Sequence, residues 1–164
     1  MNTRTKFLAS AMTVALLSSS LTAMGQSGAG GPVKNGLEGS WRVTGTPGPN
    51  RPPFVSETVE LLATYDAGGG FVSTDNLALI TAHGSWQYAG DGKFNTTVDM
   101  FLRNAQGQVD ALLHVRGTLT LNSAQDGFTT VETIEIRGFP SGVVFFAYDG
   151  ASAVGTRIAV EPIE

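Results

Sequence analysis

The segment from Gln108 to Asn122 alternates between apolar and polar side chains along its whole length. One parity carries Val109, Ala111, Leu113, Val115, Gly117, Leu119 and Leu121, and the other parity is almost entirely polar. Successive side chains of a strand point to opposite faces, so this pattern predicts a long strand with one buried face and one wet face. Residues 93–103 repeat the pattern. No stretch beyond the N-terminal region sustains the apolar spacing of an amphipathic helix, which predicts an all-β chain.

Short clusters that contain glycine separate the alternating runs. They begin at Ala67 (AGGG), Ala89 (AGDGK), Asn104 (NAQGQ), Ser123 (SAQDG), Gly138 (GFPSG) and Asp149 (DGAS). Glycine adopts positive φ at little steric cost and is therefore common in turns. Strands joined by such short links are antiparallel neighbours, because parallel pairing needs a crossover of about a dozen residues or more.

The alternating runs and the glycine-containing clusters between them predict about nine strands in a meander. They are expected near residues 39–46, 54–65, 70–75, 84–89, 93–103, 108–121, 127–137, 142–148 and 153–160. A meander with one apolar face can cover that face by closing on itself, which also removes its exposed edges. We therefore predict an up-and-down antiparallel β-barrel of about eight or nine strands, with a β-sandwich as the alternative. The interior of a barrel with roughly eight strands is filled by side chains or holds one small ligand.

The N-terminus has the order of a secretory signal. Arg4 and Lys6 precede an apolar run, residues 7–17, which is followed by a small and polar stretch that ends near Gly25. A run of about 11 apolar residues is too short to cross a bilayer, which takes roughly 20. We predict a bacterial signal peptide cleaved near Gly25, a secreted or periplasmic protein, and no membrane span in the mature chain. The expected organisation is a signal peptide over 1–25, a flexible leader over 26–36, and a single β-barrel domain over 37–164.

Composition narrows the classes of function. The chain has no cysteine, which excludes disulfides, thiolate metal sites and thiol nucleophiles. Its net charge of −4 argues against nucleic acid as a partner, because phosphate binding needs a basic face. The two histidines, His83 and His114, lack companion ligands, so we expect no metal site. The chain shows no Gly-x-Ser-x-Gly elbow, and its Gly-rich turn at Ala67 links two strands. We expect no cofactor, and the missing catalytic constellation favours a protein that is not an enzyme.

Two carboxylates stand out in the alternation. Glu132 has the parity of Phe128 and Ile134, and Glu57 has the parity of Val59. An ionisable group in an apolar interior costs several kcal/mol unless it is paired or neutralised. Such groups are often found where a ligand is oriented or a proton is carried. The alternatives are a bulge that turns both side chains outward, or an interior arginine that pairs with them.

Aromatic side chains on the predicted strands complete the candidate site. They line a ligand cavity in one interpretation and simply pack the core in the other. The predicted ligand-binding residues are Glu57, Glu132, Trp86, Phe94, Phe128 and Phe145.

The segment LEGSWRV, residues 37–43, resembles the Gly-x-Trp signature that opens the first strand of lipocalins and related calycin barrels. The resemblance implies that Trp41 closes one end of the barrel and that a basic residue of the last strand packs across its ring. Arg157 is placed to do so, through a cation–π contact worth roughly 0.5–2 kcal/mol. The Pro-rich loop at 47–53 would then lie at the open end. The strand outline is also similar to that of allene oxide cyclases and dirigent-type proteins.

These inferences predict an exported, lipocalin-like β-barrel that binds a small apolar or amphipathic ligand in its interior. One alternative is a barrel enzyme of the cyclase or isomerase type, with Glu57 or Glu132 as the proton-transfer group. The other is a non-catalytic structural or interaction module with a filled core.

Overall fold

Eight strands form the part of the chain that the computed structural model describes, residues 36–53, 58–76 and 80–159. They are β1 (Gly39–Thr46), β2 (Val59–Tyr65), β3 (Gly70–Asp75), β4 (Thr81–Gly90), β5 (Lys93–Arg103), β6 (Val109–Leu121), β7 (Gly127–Gly138) and β8 (Val144–Arg157). Each strand pairs antiparallel with the next, and β8 pairs with β1. The predicted up-and-down barrel is confirmed, and its closure leaves no place for a β-sandwich. The predicted signal peptide and nearly all of the predicted leader lie outside the described residues.

Strand directions define the two ends of the barrel. Trp41 lies near the start of β1, and Thr46 is its last residue. Because successive strands are antiparallel, odd-numbered strands run from the Trp41 end of the barrel to the Thr46 end, and even-numbered strands run back. The tight turn at residues 91–92 and the turn at 122–126 lie at the Trp41 end, called the closed end below. The turn at 104–108 and the start of the Pro-rich loop lie at the other end, called the open end. Among the described ranges, no helix has the length and apolarity that a membrane crossing requires.

The last strand corrects the predicted strand count. The two strands expected at 142–148 and 153–160 are one strand, β8, and the DGAS segment is a bulge inside it. Glu132 pairs with Ala151 and Thr133 pairs with Asp149, which leaves Gly150 without a partner, at φ 82°. A bulge adds one residue to a strand and therefore reverses its inside–outside parity. In the sequence, a glycine-containing cluster at which the alternation changes parity is also what a turn between two strands produces, so the bulge was predicted as a turn.

The core is concentrated at the closed end. It is formed by the buried side chains Leu37, Trp41, Val43, Ala63, Tyr65, Trp86, Phe94, Leu119, Phe128 and Ala153. The rings of Trp41 and Phe128 lie 4.9 Å apart between centroids, and those of Trp86 and Phe94 lie 5.6 Å apart. The Trp86 indole N–H donates to the carbonyls of Asp66 and Gly70, each at 3.1 Å, which fixes this ring beside the β2–β3 turn. Aromatic packing therefore fills the closed end and leaves the middle of the barrel to smaller side chains.

Candidate ligand-binding cavity

A cavity of about 160 Å³ lies inside the barrel. Its wall is mainly apolar, with Val43, Leu61, Ala63, Val98, Leu113 and Phe128 among its members. Phe128 also belongs to the closed-end core, and the cavity extends from there to Thr46 and Pro47 at the open end. An apolar cavity of roughly 150 Å³ holds a molecule the size of benzene, so this space admits a small ligand.

Glu132 projects into this cavity from β7. The Thr130 hydroxyl donates a hydrogen bond of 2.8 Å to its Oε1 atom. Within the described residues, Oε2 has no hydrogen-bond partner, and no arginine, lysine or histidine forms an ion pair with this carboxyl. Burial raises the pKa of Glu132 above its ordinary value, and the Thr130 hydrogen bond offsets part of that rise. The carboxyl therefore holds its proton to a higher pH than an exposed glutamate does.

The facing strand makes room for this side chain. Gly117 on β6 is the register partner of Glu132. A Cβ atom added at Gly117 would lie 2.9 Å from Cγ of Glu132 and 3.0 Å from the carbonyl oxygen of Val131. Any other residue at position 117 would clash with the Glu132 side chain, so the inward position of Glu132 depends on the glycine beside it in β6.

The charge of an ionised Glu132 affects the pKa values of two tyrosines, Tyr65 and Tyr148. Burial raises the pKa of Tyr65, and the negative charge of Glu132 raises it further. The same two causes raise the pKa of Tyr148, while the positive charge of Arg51 in the Pro-rich loop acts in the opposite direction. Tyr65 itself lines the cavity, next to the ring of Phe71 at 4.9 Å. The polar part of the wall thus combines a carboxyl group with a phenol hydroxyl.

The structure describes five of the six predicted ligand-binding residues and places them in different surroundings. Glu132 and Phe128 line the cavity. Trp86 and Phe94 are inside the barrel, but they pack the closed end below the cavity and do not line it. Glu57 lies outside the described residues.

The interior assignment of Phe145 is corrected. This side chain is 60% exposed on the outer surface of the barrel. Ile136 pairs with Phe146 and Arg137 pairs with Val144, so Phe145 is the unpaired residue of a second β8 irregularity. The sequence alone does not locate this extra residue, because the apolar run from Val143 to Tyr148 shows no alternation.

Sequence reasoning missed several polar members of the wall. Tyr65, Ser73, Thr96 and Thr130 line the cavity. The parity that places Phe128 and Glu132 inside also holds for Thr130, and the parity of Leu61 holds for Tyr65, so both could have been found by alternation. Nothing in the short alternation of β3 distinguishes Ser73 from a solvent-facing serine.

The closed end has the geometry that the Gly-x-Trp resemblance implies. The guanidinium carbon of Arg157 lies 4.2 Å from the Trp41 ring centroid. Its Nε and Nη1 atoms donate to the carbonyls of Gln125 at 2.8 Å and Glu38 at 2.7 Å, and Nη2 donates to the carbonyl of Gly36. The Trp41 indole N–H in turn donates to the Leu37 carbonyl at 2.9 Å. One side chain of β8 therefore joins two backbone segments across the end of the barrel, the segment before β1 and the turn between β6 and β7.

Both histidines lie on the outer face, in β4 and β6, the two strands that flank β5. His83 and His114 are each register partners of Asp99, and Nδ1 of His114 lies 2.6 Å from Oδ1 of Asp99. Beside them, the guanidinium of Arg137 lowers the pKa of Glu135. No group of three or more histidine, aspartate or glutamate side chains in the described ranges has a geometry that could hold a metal ion.

Together these features define a closed, eight-stranded antiparallel barrel with an interior cavity, which is compatible with the lipocalin-like fold. Comparisons with protein-family models, curated proteins and solved structures found no match for this chain.

Proposed function

We propose that this protein is an exported, lipocalin-like barrel that binds a small, mainly apolar molecule in its interior. The observation that carries the proposal is the cavity itself, since a barrel of this size can be filled completely by side chains and this one is not. The cavity also speaks against a module with a filled core. Export is supported by the order of charge, apolar run and small residues at the N-terminus.

The wall sets the size and polarity of the ligand. Small side chains such as Ala63, Ala82, Ala151 and Ala153 make up part of it, and they leave the open volume near the centre of the barrel. A volume close to that of the benzene-binding example favours one ring or a short branched chain over a complete long-chain lipid. The exposed residue Thr46 at the edge of the cavity marks the direction of entry.

A second candidate function is proton transfer on such a ligand. Glu132 and Tyr65 both line the cavity, and the charge of an ionised Glu132 contributes to the raised pKa of Tyr65. A buried carboxyl with a raised pKa is suited to general acid–base chemistry of the cyclase or isomerase type. Recovery of the bound molecule as an isomer of the one supplied would favour this candidate, and recovery unchanged would favour simple binding.

Native mass spectrometry of the protein purified from its own host tests both parts of the proposal. The polypeptide mass is expected to correspond to a chain that begins near Gln26, and a retained ligand adds further mass. Ala153→Leu places a larger side chain in the cavity and is expected to remove the added mass. Ala147→Leu makes the same substitution on the exposed face of the same strand and is expected to retain it.

A folded protein without added mass, and without thermal stabilisation by any small aromatic or branched aliphatic compound, would contradict the binding proposal. Equal retention by the two alanine variants would place the ligand elsewhere. A polypeptide mass that includes residues 1–25 in the exported fraction would contradict cleavage near Gly25.

A further inference from the structure

The polar groups of the cavity wall are all hydroxyl or carboxyl groups. Tyr65, Ser73, Thr96, Thr130 and Glu132 line it, and no lysine, arginine or histidine is among the described lining residues. An anionic ligand would therefore meet no positively charged side chain among the described residues that line the cavity. Placing an unpaired carboxylate there would carry the full cost of its desolvation. Fatty-acid-like anions are unsuited to this site.

The hydrogen bond to Glu132 determines which of its oxygens faces the ligand. Thr130 donates to Oε1, so Oε1 is already an acceptor. Within the described residues Oε2 has no partner, and neither has the Tyr65 hydroxyl. When the carboxyl is protonated, its hydrogen is on Oε2, because Oε1 already accepts from Thr130, and the phenol carries a hydrogen of its own. The cavity consequently offers two donors to an apolar space.

We infer that the cavity takes a small uncharged molecule with a carbonyl-type oxygen, which accepts hydrogen bonds from the Glu132 carboxyl and the Tyr65 hydroxyl. This inference rests on the proposed function and specifies the ligand class of the same site. A carbonyl oxygen has two lone pairs and needs no counter-charge, so it satisfies both donors without bringing a second charge into the barrel.

An amine is the competing ligand. Its ammonium group would form a buried ion pair with Glu132, and the desolvation of both ions offsets much of the attraction. The groups around Glu132 are Thr130 on its own strand, Gly117 on β6, Ala151 and Tyr148 on β8, and Tyr65 on β2. Arg51 acts on Tyr148 from the Pro-rich loop. The two tyrosines add no negative charge at neutral pH, because burial and Glu132 raise their pKa values. The uncharged acceptor is thus the better match wherever Glu132 holds its proton.

Four compounds matched in non-hydrogen atoms separate these possibilities: acetophenone, cumene, 1-phenylethylamine and benzoate. Isothermal titration of the full chain at mildly acidic pH is expected to give affinities that decrease in the order acetophenone, cumene, amine and benzoate. Hydrogen bonds to a neutral acceptor favour acetophenone over cumene by roughly three- to tenfold. The preference is expected to fall as the pH rises, because an ionised Glu132 has no proton to donate and the raised pKa of this carboxyl moves that loss to higher pH than for an exposed glutamate.

Three variants assign the preference to the two donors. Tyr65→Phe keeps the ring contacts and is expected to remove part of the preference for acetophenone. Glu132→Met removes the carboxyl and is expected to leave acetophenone no tighter than cumene. Glu132→Gln keeps a donor that does not ionise, so the preference is expected to persist and to lose its pH dependence.

The same measurements distinguish a failure of the inferred ligand class from a failure of small-molecule binding itself. If neither acetophenone nor cumene binds, binding of a small apolar molecule fails as a whole. If both bind equally, or if the amine or benzoate binds most tightly, the cavity is a binding site but the inferred ligand class is wrong. These wild-type comparisons decide the matter even if a variant does not fold.

Discussion

Removal of the Arg157 side chain tests how much stability the closed end supplies. The cation–π contact with Trp41, at 4.2 Å, contributes about 0.5–2 kcal/mol. The carbonyls of Glu38 and Gln125 are exposed and can bond to water after the change. The hydrogen bond to the Gly36 carbonyl is part-buried, and its loss costs about 1–3 kcal/mol. Arg157→Ala is therefore expected to lower the free energy of unfolding by about 1.5–5 kcal/mol.

Urea unfolding followed by tryptophan fluorescence measures this free energy, and Arg42→Ala is the matched control. Arg42 lies on the same sheet as an exposed side chain of β1, where removal of an arginine is expected to change stability by less than about 0.5 kcal/mol. Arg157→Lys keeps the charge but cannot direct a planar set of donors at three carbonyls while stacking on the ring. It is expected to recover less than half of the loss. Equal stabilities of the Arg157→Ala and Arg42→Ala proteins, or full recovery by lysine, would refute the reasoning.

Two further perturbations follow from buried groups. Glu132→Gln is expected to match the wild type in stability near pH 4.5 and to exceed it increasingly as the pH rises, in unfolding curves with exposed Glu60→Gln as the control. The reason is that the raised pKa makes the folded wild type bind a proton at Glu132 more strongly than the unfolded chain does. The wild type therefore loses stability as the pH rises above 4.5, and the glutamine variant has no such loss at this position. Parallel pH profiles of the two proteins would contradict this. Gly155→Ala is expected to cost about 1–3 kcal/mol of stability, because an added Cβ overlaps the Phe128 ring. Gly45→Ala, whose Cβ would meet only the Val59 carbonyl at 3.6 Å, is the control, and equal melting temperatures of the two variants would rule out the overlap.

Alternation in the sequence identified which face of a strand each residue occupies, and this was enough for much of the fold. The parity of β6 and β7 placed Leu113, Phe128 and Glu132 inside, where the structure has them. Closure could be predicted because a meander with one apolar face has few other ways to cover it.

The alternation of a strand shows which side chains point inward, but it does not show how far along the barrel axis each of them lies. Trp86 and Phe94 are inside, as alternation indicates, but they lie at the closed end, away from the cavity. Their level depends on the register of neighbouring strands and on the partner of the Trp86 indole N–H, neither of which a single strand encodes. The β8 irregularities at Gly150 and Phe145 were missed for a related reason, since an extra residue shows only in the pairing with β7.

The contact between Arg157 and the segment before β1 has a consequence for the order of folding. The hydrogen bond from Arg157 to Glu38 joins residues 119 positions apart, whereas every other strand pairs with its neighbour in sequence through a local hairpin. Loop closure is entropically costly, so hairpins form early and the β1–β8 seam forms last. Until β8 is complete, the second edge of β1 remains unpaired and open to pairing with other chains. Truncation before Ser152 removes every β8 residue that pairs with β1, and would thus leave a nearly complete barrel with an open, aggregation-prone seam.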